Sequence, residues 1–171
     1  MDDLSRLQPL DLLVALKLSV MPGASIRALS RTLDIPTSTI AVSLNRLRDH
    51  RLVQAGERDG QRVSNLALRD CLQHAARWIA PARVGGFELG LLTAHAAPPL
   101  AEKLRGDEDP VVMPLAGGPE RGRAVPPLHP KAPFAAQRDP KLHALLAVVD
   151  ALRIIGARDR EVAAAELQRL L

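Results

Sequence analysis

Aromatic side chains are almost absent from this chain: Phe87, Phe134 and Trp78 are all it has, with no tyrosine. Leu, Val, Ile and Ala must therefore fill the interior, a composition suited to packed helices and poorly suited to an all-β sandwich. Cysteine is scarcer still. The single Cys71 excludes an internal disulfide framework and a cysteine-rich zinc site, and it fits a reducing compartment. Long apolar runs are missing too, none approaching the roughly 20 residues that span a bilayer. The amino terminus opens Met1-Asp2-Asp3 instead of on a basic stretch. A cytoplasmic protein with no membrane partner is expected.

Catalytic signatures are equally lacking. The histidines, His50, His74, His95, His129 and His143, show no close ligand spacing. The Gly-rich run AGGPERGR is not followed by the Lys-Ser or Lys-Thr of a phosphate loop. Neither a nucleophile elbow nor a zinc-protease helix is present. No enzyme activity, metal or cofactor is expected. Cys71 reads as a buried, inert thiol ahead of a redox sensor activated by Arg69 or His74.

At 171 residues the chain can bury a core without staples. The net charge of +4 is modest and unevenly placed. Lys and Arg outnumber Asp and Glu by 12 to 8 over residues 1–84 and match them, 11 to 11, over 85–171. The basic excess thus lies in the first half, where an anionic partner is to be sought.

Helical periodicity dominates. QPLDLLVALKLSVM is a helix begun by Pro9 and stopped by Pro22-Gly23. Ser25 caps a short helix with Ile26, Leu29 and Leu33 inward and Arg27 and Arg31 outward. A break at Asp34-Ile35-Pro36 leads into TSTIAVSLNRLRDH, anchored by Ile40, Leu44 and Leu47. Leu52–Ala55 and Gln61–Leu66 flank GERDG as a hairpin. A further helix runs from Leu68 to Ala80.

The stretch 84–138, rich in Pro and Gly, predicts mostly loop, with brief order at Leu89–Leu92 and Leu100–Leu104. Asp139 then caps a helix with Pro140 at its first position, and ARDREVAAAELQRLL completes an antiparallel pair. The expected fold is mainly α: a winged helix-turn-helix domain over 1–80, a loop-rich packing segment over 81–138, and a helical segment over 139–171.

A helix that enters a major groove needs one face in the core and an opposite face of small or hydrogen-bonding residues. With Ile40, Leu44 and Leu47 inward, Ser38, Val42, Asn45 and Asp49 lie on the far side, flanked by Thr37, Ala41 and Arg46. Asn45 matches the edge of adenine, Val42 a thymine methyl, and Thr37, Ser38 and Thr39 a phosphate at the helix start. Arg27, Arg31, Arg46, Arg48 and Arg51 are expected on phosphates, with Arg58 and Arg62 of the hairpin laid against the backbone or an adjacent minor groove.

These residues carry a resemblance. IRALSRTLDIPTSTIAVSLNRLRDHRLVQAGERDGQRV resembles the reading head of MarR-type winged-helix regulators, over roughly residues 8–80. The likeness lies in the Leu-Asp-Ile end of one helix, the Ser-Thr-Ile start of the next, the Leu-x-x-Leu anchor, and a Leu-Val strand entering a Gly-bounded wing. The wing is short for that family.

The resemblance implies a homodimeric repressor on pseudo-palindromic double-stranded DNA. The dimer would be joined through Leu142, Leu145, Leu146, Val149, Leu152, Val162, Leu167 and Leu170 of the terminal helices. An alternative expectation is an antitoxin-like or defence-system autoregulator whose residues 85–171 bind a partner protein.

Overall fold

A computed structural model describes residues 6–56, 60–104, 109–154 and 157–171, the side chains of 157 and 158 excepted. The described chain is mainly helical: α1 (Pro9–Val20), α2 (Ile26–Leu33), α3 (Thr37–Asp49), α4 (Asn65–Ile79), α5 (Ala132–Arg138), α6 (Pro140–Ile154) and α7 (Ala157–Leu170). Strands β1 (Val53–Ala55) and β2 (Gln61–Val63) pair antiparallel, Val53 opposite Val63 and Ala55 opposite Gln61. Strands β3 (Phe87–Leu92), β4 (Val111–Pro114) and β5 (Glu120–Ala124) form a separate unit. No helix among the described residues is long and apolar enough to cross a membrane.

Two helices are buried on every side, as apolar all-round helices must be. In α1 every residue from Asp11 to Leu18 is buried; in α6 every residue from Leu145 to Arg153 is. Both buried runs contain charges, and each of those buried charges is paired. Asp11 takes two hydrogen bonds from Arg46, and Lys17 donates to Asp139 at 2.7 Å. Asp150 accepts from Arg153 at 2.6 Å and from Thr93 at 2.7 Å. Arg153 also donates to the carbonyls of Ala80 and Pro126, so it ties α6 to the end of α4 and to the segment after β5. One continuous apolar core runs from Leu12 through Leu44 and Leu72 to Leu146 and Leu167.

The terminal helices correct an expectation. Leu142, Leu145, Leu146, Val149, Leu152 and Leu167 are buried within their own chain, and Val162 and Leu170 are half-buried against the same core. Packing of α6 against α1, α4, α5 and α7 uses the face expected to hold a second copy. A side chain already excluded from water gains nothing more by association.

Residues 84–138 hold more structure than their composition predicted. Each of β3, β4 and β5 pairs with the other two: β3 antiparallel to both, β4 parallel to β5. Gly90, Gly118 and Gly122 stand where backbones approach too closely for a side chain. A Cβ on Gly90 would sit 2.0 Å from the Met113 carbonyl oxygen, and one on Gly118 2.5 Å from the Cα of Gly90. What reads as loop chemistry is close backbone approach.

Boundaries elsewhere follow local chemistry. Ser25 Oγ accepts from the Ala28 amide at 3.2 Å and starts α2. Strand β2 stops at Val63, short of the expected Leu66, because Ser64 caps α4 through the Ala67 amide. Asp139 Oδ1 accepts from the Lys141 and Leu142 amides, both at 3.1 Å, and opens α6 as expected.

Candidate nucleic-acid interface

Helices α2 and α3 are joined by a turn of Asp34, Ile35 and Pro36. Asp34 adopts a left-handed conformation with φ of 55°, and the Ile35 amide donates to the Ser30 carbonyl at 3.1 Å. Ile35 plugs the turn into the core beside Leu29 and Leu33. Lys131, just before α5, hydrogen-bonds Asp34 and, by that bond and its charge, holds the carboxyl below the usual aspartate range. This cation offsets the negative charge of Asp34 near the start of α3.

The inner face of α3 is fixed at both ends. Ile40, Leu44 and Leu47 are buried as expected, and Ser43 lies between them with its hydroxyl donating to Asp11 Oδ1 at 2.7 Å. Arg46 closes the same cluster, Nε on Asp11 Oδ2 and Nη2 on Oδ1, each at 2.8 Å. Its side chain is 7% exposed and faces the protein interior. The expectation that Arg46 meets a phosphate is therefore corrected: its position flanks the leucine stripe, and the buried Asp11 carboxylate turns it inward.

The outer face is open. Thr37, Ser38, Val42 and Asn45 are exposed, and Thr39 is half-buried. No acidic side chain occupies the first turn of α3, so its free amides keep the positive end of the helix dipole unopposed. Arg48 bridges this face to the hairpin, Nη1 on Asn45 Oδ1 and Nη2 on Gln61 Oε1, both at 2.7 Å. Gln61 is buried on β2, and its carbonyl accepts from the Gly23 amide at 2.9 Å, which locks β2 to the turn after α1.

Arg27 is exposed on α2, and Arg62 is exposed on β2 opposite Gln54. Arg58 lies outside the described residues. The structure thus brings Thr37, Ser38, Val42, Asn45 and Arg48 onto one helix face braced to the hairpin, and it removes Arg46 from that set.

Sequence reasoning missed Asp11, Ser43 and Gln61, which position the face without belonging to it. For Asp11 a signal existed: a carboxylate inside PLDLLVALKLSV must find a partner if the helix is buried. Outside this site, burial pushes the Cys71 thiol up, away from a reactive thiolate.

No family model, curated protein or solved structure matches the chain.

Proposed function

We propose that the chain is a sequence-specific double-stranded DNA-binding transcription regulator. In this reading α2, α3 and the β1–β2 hairpin act as a winged helix-turn-helix head. One observation carries the proposal: α3 is anchored by leucines and by the Asp11–Ser43–Arg46 cluster on one side, and offers Thr37, Ser38, Val42 and Asn45 to solvent on the other. A rigid helix with a small, polar, exposed face suits insertion into a major groove. Asn45, its amide oriented by Arg48, reads a base edge. Arg27 and Arg62 meet phosphates on either side, and the amides at the start of α3 receive another.

Repression by a homodimer on inverted half-sites rests on the resemblance to MarR-type regulators. The buried leucines of α6 and α7 do not add to it. Selection of bound sequences from random duplex DNA tests both parts. A single enriched half-site supports the reading head, and two inverted copies at fixed spacing support the dimer. Recovery of no consensus from the full chain overturns the proposal. Binding weakens steeply with salt, as counterion release from neutralised phosphates requires.

A further inference from the structure

The β3–β5 pair leaves one face uncovered. Phe87 stands opposite Arg123 and Leu89 opposite Arg121, so strand alternation puts these four side chains on a single face. Phe87 and Leu89 are 46% and 50% exposed, two large apolar side chains side by side on that face. The guanidiniums of Arg121 and Arg123 lie 5.0 and 5.9 Å from the Phe87 ring centroid. Among the described residues neither arginine has a carboxylate partner. Glu88 and Glu120 belong to the opposite side of the pleat.

We infer that this face is a docking surface for an acidic segment of a partner protein, one that sets aliphatic or aromatic side chains against Phe87 and Leu89 and carboxylates against Arg121 and Arg123. The inference goes beyond DNA reading and does not depend on it.

Three features choose this occupant. Each strand of the unit already pairs with both others, so a partner docks by side chains and not by adding a strand. A second copy of the chain is disfavoured, because a two-fold contact would press the arginine pair against its own image. A single-stranded nucleic acid is disfavoured as well. Phe87 is the single aromatic side chain of β3 and β5, and Leu89 offers a second base nothing to stack on.

A phage-displayed library of random peptides, selected on the full chain, is the test. Recovered peptides are expected to combine two or more Asp or Glu with Leu, Ile or Phe. A synthetic copy of one should lose at least about tenfold in affinity for Arg121→Glu and for Leu89→Ser. Among the described residues the Arg121 side chain makes no hydrogen bond or ion pair and lies against the Phe87 ring, so its reversal should leave the fold intact, and matching thermal unfolding checks this. Peptides without acidic enrichment overturn the inference, as does binding that survives both substitutions. Displacement of the peptide by a single-stranded oligonucleotide, or a dimer in sedimentation that Arg121→Glu dissolves, assigns the face to another occupant and overturns it equally.

Discussion

Helices α3 and α6 pose the same question in sequence, a leucine stripe with charges set among it, and the folded chain answers it in opposite ways. In α3 the non-leucine positions 38, 42 and 45 share an arc that stays in water. In α6 there is no such arc: Leu145 to Arg153 are buried without interruption, and the two charges in that run bind each other. A charged residue inside a nearly continuous apolar run is thus an internal tie. Where a helix keeps a polar arc, the polar residues on that arc stay in water, and those on its leucine side, such as Ser43 and Arg46, are ties as well. Helix α1 obeys the same rule, with Asp11 and Lys17 as its ties.

The sharpest way to break the comparison is to cut a tie. Asp11→Ala removes the carboxylate that takes two hydrogen bonds from the buried Arg46 guanidinium, and removal of one partner from a buried ion pair costs about 3–5 kcal/mol. Denaturant unfolding should show that loss. A loss below about 1 kcal/mol would mean that Arg46 escapes to solvent, restoring it as a surface cation.

Leu146→Ala comes next, at about 2–5 kcal/mol for a buried leucine. Because Leu146 is 1% exposed within its own chain, the destabilisation should be independent of protein concentration. A thermal midpoint that rises with concentration in the parent and not in the variant would return α6 to a dimer interface.

Asp139 tests the link between α1 and α6. Burial alone would raise its pKa, but the Lys17 bond, the Leu142 and Lys141 amides and the Lys17 charge outweigh it, and the carboxyl lies below its ordinary value. A depressed folded-state pKa contributes stability that is present above the unfolded value, near 3.9, and is lost as pH falls through the folded one. Asp139→Asn keeps an N-cap residue and removes the charge. It should cost about 1–3 kcal/mol at neutral pH, with the gap to the parent closing in strong acid. An equal gap at every pH would assign the effect to packing.

Much of this was legible. The helix starts at Ser25 and Asp139, the turn at Asp34 and the register of Ile40, Leu44 and Leu47 follow from capping and periodicity alone. What escaped depends on contacts between distant residues. Arg46 and Arg48 sit two positions apart on one helix, and only folding shows that Asp11 takes the first while Asn45 and Gln61 take the second. The glycines of 84–138 signalled flexibility by composition, whereas Gly90 and Gly118 serve strands that pass within contact of each other. The lone exposed phenylalanine of β3 carried no pattern until Arg121 and Arg123 were placed beside it.

The smallest expected change in stability is at Asn45, and it sharpens the contrast most. Asn45 neighbours Arg46 in the chain, yet its side chain is exposed and accepts a hydrogen bond from Arg48. Asn45→Ala should shift unfolding by no more than about 0.5 kcal/mol. The same variant should weaken binding to a selected duplex by about 1–3 kcal/mol, with discrimination relaxed at one base pair and phosphate-driven affinity for random DNA little changed. Arg46→Ala should do the reverse: a large loss of stability, and specificity preserved in whatever fraction remains folded. If the two variants instead weaken DNA binding alike without unfolding the chain, α3 does not divide between anchor and reader, and the polar arc is an ordinary solvated surface.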